Sequence, residues 1–265
     1  MNKKLISILK FLENNKSYNT ELQIKYMQRA LCSKATKKEK LIALLYETAN
    51  TQSQPKIDKL CLLFKKIYQS QKTFETFHEF LTFLDLDNAY NHDKPYQSLY
   101  EALKNQSGWG PKTSALFVKN MYNLHHNDEF KKVFGTDILW NDFPKLQEED
   151  KIYLPVDTVI LAIFNKLEYK KPKWNFKNIN SYLKSEYSNK NIIQFDDLWF
   201  WGFISQKNKA EHHIDKEYWD GKREMCWNEE KYWMITEVNK DEEYMKVITK
   251  KVEEFLKLFR NLEND

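Results

Sequence analysis

The sequence predicts an all-α protein, and three observations support that prediction. Glycine is scarce, with 5 residues among 265, while Leu, Lys, Glu and Gln, which are good helix formers, are plentiful. Apolar residues recur at the spacing of an amphipathic helix, as in "KLISILKFLEN" near the N-terminus. The strict alternation of polar and apolar residues that marks a half-buried strand is hard to find.

Several helix boundaries can be predicted from local signals. Thr36 followed by Glu39 has the form of a capping box. Pro95 suits the first position of a helix that ends near Gln106. The stretch "DEEYMKVITKKVEEFLKLFRNLE" predicts a long helix close to the C-terminus.

Two regions are predicted to be less regular. Residues 125–155 contain "GTD", "NDFP" and an acidic cluster, and we expect an excursion between two helices there. The Trp-rich region 214–240 is expected to form irregular structure or short pieces.

Composition points to a soluble protein of a reducing compartment. Cys32, Cys61 and Cys226 are widely spaced and odd in number, which argues against a disulfide framework and against a cysteine-ligated zinc or iron–sulfur site. Charges return too soon after Met1 for a signal peptide, and no apolar run approaches the roughly 18 residues of a membrane span. We therefore expect a cytoplasmic, monomeric protein that does not bind membranes.

Charge and aromatic content leave two interpretations open. The net charge is only +4, but basic stretches at 1–126 and 152–210 alternate with acidic ones at 127–151 and 211–265. Such an uneven distribution of charge can present a positive face to a polyanion, or the lysines can simply be the solvated side chains of surface helices. The aromatic content of 15% fits either a core built with rings or a surface that stacks on bases.

The stretch "SGWGPKTSALFVKN", residues 107–120, combines two of the five glycines with a proline and a lysine. Gly108 suits the position just after a helix, and Pro111 suits the first position of the next one. The N–H groups at the start of that second helix could bind a DNA phosphate without sequence preference. Lys112 is expected in its first turn, where the helix dipole favours the neutral amine that a nucleophile requires. A surface lysine that contacts phosphate is the alternative.

The motif "GWGPKTSALFV" resembles the hairpin of the helix-hairpin-helix DNA glycosylase superfamily, whose pattern begins Gly-x-Gly-x-Lys. By this resemblance Lys112 falls on the Schiff-base nucleophile of the bifunctional glycosylase/lyases of the endonuclease III and 8-oxoguanine glycosylase types. The hairpin residues implied in DNA binding are Gly108, Trp109, Gly110, Lys112 and Thr113. The resemblance also implies an alkali ion bound by hairpin carbonyls, and it implies no other cofactor. The cysteine-ligated iron–sulfur cluster of some family members is not expected in this chain.

The superfamily also carries a catalytic aspartate that opens a helix, and "LPVDTVILAIFNKL" supplies Asp157. Asp157 is well placed as an N-cap, and a carboxylate there could stabilise the oxocarbenium charge and assist proton transfer. Lys112 and Asp157 are 45 residues apart, which is farther than in the common members. Residues 125–155 would then be an insertion, and Asp137 and Asp142 compete for the role, although no apolar helix follows either.

The implied architecture has two helical lobes. Residues 36–167 would form the lobe with the hairpin and Asp157, and residues 1–35 with 168–265 the other. The segment "DDLWFWGFISQ" is expected to line a base pocket or else to be a core helix. Its candidate stacking residues are Trp199, Phe200, Trp201 and Phe203. The adjacent pairs His125–His126 and His212–His213 do not converge on a helix, so no metal site is expected.

These features predict a DNA glycosylase with associated lyase activity that acts on double-stranded DNA and flips a damaged or modified base out of the duplex. The motif "PVD", which ends at Asp157, resembles that of the 8-oxoguanine glycosylases and favours an oxidised purine such as 8-oxoguanine as the substrate. A glycosylase against modified bases of foreign DNA, such as that of a phage, is an alternative. Others are a helix-hairpin-helix protein that binds DNA without catalysis and a glycosylase without lyase activity.

Overall fold

The computed structural model describes residues 3–52, 54–84, 93–167, 174–207, 224–236 and 241–260 of the chain. The predicted all-α class is confirmed, because these residues form helices and, apart from one isolated antiparallel bridge between Gln206 and Met225, no strand pairing. None of the described helices combines the length and the apolar character needed to cross a bilayer. The helices are α1 (Lys3–Asn14), α2 (Lys16–Leu31), α3 (Lys37–Asn50), α4 (Ile57–Gln69), α5 (Phe77–Phe83), α6 (Pro95–Lys104), α7 (Pro111–His126), α8 (Asp128–Phe134), α9 (Thr158–Leu167), α10 (Phe176–Glu186), α11 (Asn189–Gln194), α12 (Leu198–Ile204), α13 (Glu229–Ile235) and α14 (Glu242–Arg260), with a 3₁₀ turn at Phe195–Asp197.

The chain divides into two compact units. The terminal unit comprises residues 1–22 and 156–265, and the central unit comprises residues 23–155. Helix α2 begins in the terminal unit and ends in the central one. The division differs from the expected lobes at both boundaries, so α9 and Asp157 belong to the terminal unit rather than to the unit that carries the hairpin.

Helix α12 lies at the centre of the terminal unit, where it packs against α9, α13 and α14. The Trp201 ring is fully buried and meets the edge of Phe11 at 5.0 Å and that of Tyr18 at 5.4 Å between centroids. Gly202 faces α9, and a Cβ atom there would lie 2.6 Å from Ile163 Cδ1. A side chain at position 202 would therefore require the Ile163 and Val159 side chains to move.

The central unit is built around α7, which packs against α3, α6 and α8. The helices predicted to start at Pro95 and Pro111 both do so. The predicted capping box at α3 is also confirmed, since the Thr36 hydroxyl accepts a hydrogen bond from the Glu39 N–H and the Glu39 carboxylate accepts one from the Thr36 N–H at 2.9 Å. These hydrogen bonds lower the pKa of Glu39.

The predicted excursion is only partly irregular, because Asp128–Phe134 forms helix α8. The prediction of irregular structure was wrong there. Asn127 caps this helix by accepting a hydrogen bond from the Glu129 N–H, and acidic residues in the first turn with lysines in the last favour the helix dipole. Irregular backbone follows from Gly135 to Pro155, hereafter the 135–155 segment.

Two carboxylates attach the 135–155 segment to helix N-termini of the central unit. Asp142 accepts a hydrogen bond from the Phe77 N–H at the start of α5, at 2.9 Å. Asp150, which is buried, accepts hydrogen bonds from the Tyr96 N–H at 2.9 Å and the Gln97 N–H at 3.0 Å in the first turn of α6. The residue that precedes α6 makes no side-chain cap of its own, so Asp150 supplies the cap from a distant part of the sequence.

Aromatic side chains complete this attachment. Trp140 is almost fully buried and donates its Nε1–H to the Phe74 carbonyl at 3.0 Å. Near the end of α7 the His125 ring stacks on Phe143 at 4.6 Å and lies parallel to Trp140. The Nε2 atom of His125 is buried without a hydrogen-bond partner, and burial lowers the pKa of this imidazole to about 4.

The central unit should lose stability as the pH falls from about 6.5 to about 4. His125 takes up its proton near its ordinary pKa of 6.5 in the unfolded chain but only near 4 in the folded one. Its neutral form therefore contributes stability that is present above pH 6.5 and is lost on acidification, by about 2–3 kcal/mol. Urea unfolding followed by tryptophan fluorescence at several pH values measures this loss.

The matched variant is His125→Phe, which keeps a stacking ring but cannot titrate. It should flatten the dependence of the unfolding free energy on pH. An equally steep dependence in His125→Phe would contradict the assignment.

Candidate functional site

The predicted turn between α6 and α7 is a tight backbone hairpin. The Trp109 N–H donates to the Gln106 carbonyl at 3.1 Å, and the Ser114 N–H donates to the carbonyl of Gly110, the N-cap of α7, at 3.0 Å. Gly108 adopts a φ of +82°, a left-handed value that favours glycine. The N-terminus of α7 has no side-chain cap, so its N–H groups are the donors that an anion would use.

Gly108 also lies directly against the first turn of α4. A Cβ atom at this position would come within 2.8 Å of the Leu60 backbone nitrogen and within 3.1 Å of the Lys59 carbonyl carbon. Gly110 is different, because its φ of −103° suits any residue and a Cβ atom there would meet nothing within 4 Å. Gly108 is therefore required for packing, and Gly110 leaves the start of α7 open.

The hairpin residues implied in DNA binding fall into two groups. Gly108, Gly110 and Lys112 are half-exposed. Trp109 and Thr113 are buried, and the Trp109 ring packs edge-on against Phe117 at 6.2 Å. The buried pair packs beneath the hairpin, so of these five residues Gly108, Gly110 and Lys112 are the ones accessible from outside.

The hairpin has carbonyl oxygens that could hold the implied alkali ion. The Gln106 and Gly110 carbonyls accept backbone hydrogen bonds. The carbonyls of Ser107, Gly108 and Trp109 accept none from the part of the chain that the structure describes. Hard cations prefer such oxygen ligands, so these three carbonyls are the candidate ligands for such an ion.

Lys112 lies in the first turn of α7 as predicted, and its amine is engaged. Its Nζ donates to the Thr51 hydroxyl at 2.8 Å and to the Thr51 carbonyl at 3.2 Å. Thr51 is the C-cap of α3, where a cation interacts favourably with the helix dipole. Lys112 thus holds the end of α3 to the start of α7, a role that its sequence surroundings do not reveal because Thr51 is 61 residues away.

Asp157 caps α9, as the sequence predicts. Its Oδ1 accepts hydrogen bonds from the Val159 N–H at 2.9 Å and the Ile160 N–H at 3.0 Å, and the residue is half-buried. The competing aspartates are placed differently, since Asp142 binds the start of α5 and Asp137 is exposed in the 135–155 segment. Of the three, Asp157 alone opens an apolar helix.

The four candidate stacking residues on α12 also differ in burial. Phe200 and Trp201 are buried in the core of the terminal unit. Trp199 and Phe203 are half-exposed and stack on each other at 5.3 Å with an interplanar angle of 17°. The buried Lys231 amine lies 5.1 Å from the Phe203 centroid, so part of the Phe203 ring already has a partner. Trp199 is the ring of this set that is best placed to meet a ligand.

The predicted site residues therefore lie on both units. The central unit holds the hairpin and Lys112, and the terminal unit holds Asp157 and α12. Among the described residues no group of three His, Cys, Asp or Glu side chains is suited to a metal ion. Cys32, Cys61 and Cys226 form no disulfide in the part of the chain that the structure describes, while His212, His213 and much of the 214–240 region lie outside the described residues.

No protein-family model matches the chain, and neither a curated protein nor a solved structure matches it significantly. The resemblance to the helix-hairpin-helix glycosylases is thus confined to the short motifs around Lys112 and Asp157. The function that it implies is a proposal.

Gly108→Ala should destabilise the central unit by about 2–4 kcal/mol, because the new Cβ atom would strain the left-handed backbone and collide with α4. Gly110→Ala, two residues away, should cost less than about 1 kcal/mol, the loss of a favourable N-cap residue. Urea unfolding of both variants measures the two costs. Equal costs would show that Gly108 does not have the contact with α4 described above.

Lys112→Met should lower the free energy of unfolding by about 0.5–1.5 kcal/mol, because the variant loses the hydrogen bonds to Thr51. Thr51→Val removes the hydroxyl acceptor but also the hydrogen bond that this hydroxyl donates to the Thr48 carbonyl. A double-mutant cycle separates these contributions and should give a coupling energy of about 0.5–1 kcal/mol. The exposed Lys65 is the control partner, since Lys65→Met should be additive with Thr51→Val; additivity for Lys112 would refute the interaction.

Proposed function

We propose that this protein is a DNA glycosylase with associated lyase activity, with Lys112 as the nucleophile. The observation that carries the proposal is the position of the half-exposed residue Lys112 in the first turn of α7, directly after a hairpin with an open helix N-terminus. The uncapped N–H groups of α7 bind a DNA phosphate. In the proposed complex the Lys112 amine lies beside the backbone of a nucleotide that has been flipped out of the duplex.

The reaction proceeds by displacement and elimination. The neutral Lys112 amine attacks C1′ of the deoxyribose, the bond from C1′ to the base breaks, and the base leaves with that electron pair and a proton. The attacking nitrogen gives up one proton, which the leaving base carries away, and a second one to O4′ as the C1′–O4′ bond breaks, so that the ring opens and an imine joins Nζ to C1′. Loss of a proton from C2′ then expels the 3′ phosphate by β-elimination, and water releases the amine from C1′.

Asp157 assists these reaction steps through its negative charge. Its carboxylate stabilises the positive charge that develops on the sugar and accepts the proton that the attacking amine loses. The two N–H groups that bind its Oδ1 fix the orientation of the carboxylate. The proposal requires Lys112 and Asp157 to act on the same nucleotide, and variants of both test this requirement.

The hydrogen bonds between Lys112 and Thr51 bear on the first step. The amine donates hydrogen bonds to the carbonyl and the hydroxyl of Thr51, so the substrate must displace Thr51 before the amine attacks. The same observation favours a second candidate function, a helix-hairpin-helix protein that binds DNA without catalysis and in which Lys112 is structural.

Borohydride trapping distinguishes the two functions. On a duplex with an abasic site, the wild type should form a reducible covalent adduct, and Lys112→Arg should not, because the guanidinium keeps the charge but cannot form the imine. Lys65→Arg, which changes an exposed lysine on α4, should form the wild-type amount. Normal binding of the wild type without an adduct would refute the lyase activity, and the absence of base release as well would establish the second function.

Asp157→Asn should slow base release by about 10²–10⁴-fold, since it loses the charge and the proton acceptor but keeps an oxygen that can cap α9. Base release is measured on a panel of duplexes that carry oxidised purines or modified bases of phage type, and the panel also identifies the substrate. Release that survives Lys112→Arg but not Asp157→Asn would indicate a glycosylase without lyase activity.

A further inference from the structure

We infer that the first turn of α4 is a second DNA-binding element beside the hairpin, in which Lys56 and Lys59 contact phosphates and Ile57 makes an apolar contact with the duplex. The inference rests on the proposed function for the identity of the partner. It extends the DNA-binding surface to a helix that carries no recognisable motif and lies about fifty residues from the hairpin in sequence.

Two contacts place the hairpin beside the connection between α3 and α4. At one end of the hairpin, Gly108 lies against the α4 backbone at Lys59 and Leu60. At the other end, Lys112 binds Thr51 at the end of α3. A duplex that reached the start of α7 would therefore meet the first turn of α4 as its neighbour.

The charge of this turn suits a polyanion. Lys56 and Lys59 are exposed, and neither forms an ion pair with any residue that the structure describes. Cα–Cβ bonds tilt toward the N-terminus of a helix, so the side chains of the first turn surround its beginning. Asp58 is the acidic residue of the same turn, and the two lysines outweigh it.

The position of Ile57 indicates an apolar contact in addition to the charges. Its side chain is 57% exposed, whereas Leu60, Leu63 and Ile67 on the same helix are buried in the core. Proteins that deform DNA often place an isoleucine or leucine against the base stack, flanked by basic residues. Ile57 follows Lys56, is separated from Lys59 by Asp58, and lies in the turn of α4 that Gly108 contacts, which favours this interpretation.

A protein partner is the competing explanation for Ile57. Ile57, Cys61 and the 67%-exposed Tyr68 lie along one face of α4, and such a stripe could cover another protein surface. Only the Ile57 end of the stripe adjoins the hairpin. Tyr68 is therefore the matched control for Ile57, and Lys65, which is exposed two turns farther along α4, is the control for the lysines.

The test is binding of a duplex that contains a stable abasic-site analogue, measured by fluorescence anisotropy over a range of salt concentrations. The double variant Lys56→Ala/Lys59→Ala should weaken binding about tenfold or more at 0.1 M salt. It should also lower the slope of log K against log salt by about 0.9 for each lost phosphate contact. Ile57→Ser should weaken binding about 3–10-fold with the slope unchanged, since no charge is removed.

Lys65→Ala and Tyr68→Ser should bind like the wild type, and circular dichroism confirms that all variants fold. The inference is overturned if the double variant matches Lys65→Ala while the wild type binds DNA and forms the borohydride adduct. It is also overturned if Ile57→Ser and Tyr68→Ser alter sedimentation equally and leave DNA affinity intact, since the stripe is then a protein interface. A wild type that does not bind the duplex would refute the proposed function together with this inference.

Discussion

The contact between Gly108 and the α4 backbone is the constraint on which the candidate surface depends. No side chain fits between the hairpin and Leu60, because even a Cβ atom would come within 2.8 Å of the Leu60 nitrogen. The contact sets the start of α7 beside the start of α4 and brings Lys112 to the end of α3. A glycine-poor chain thus uses one of its few glycines where a left-handed turn and a close backbone approach coincide.

Lys112 shows how one side chain can serve both stability and reactivity. Its ammonium group stabilises the C-terminus of α3 by charge and by hydrogen bonds to Thr51. A nucleophile at the same position must be neutral and free to reach C1′. The proposed chemistry therefore depends on the free energy with which DNA replaces Thr51 as the partner of the amine.

The high aromatic content is used mainly for packing. Trp140 and Trp201 are almost completely buried, one in each unit. Trp140 and the two capping carboxylates, Asp142 and Asp150, bind the 135–155 segment to the rest of the central unit. The same packing surrounds His125, so the stability of this attachment is coupled to pH. Trp199 and Phe203 are the residues of the proposed pocket that remain accessible.

The sequence by itself determined the helices and their local caps. The capping box at Thr36, the prolines that open α6 and α7, and the cap at Asp157 depend on residues within one helical turn of each other, so their pattern is readable in the chain. The prediction from sequence missed α8, because the nearby loop signals "GTD" and "NDFP" outweighed the pattern of this short helix. Only the tertiary structure decided that Thr51 holds Lys112, that Asp142 and Asp150 cap distant helices, and that Asp157 belongs to the terminal unit. These contacts join residues that are far apart in sequence and meet only when the helices pack together, so no local spacing predicts them.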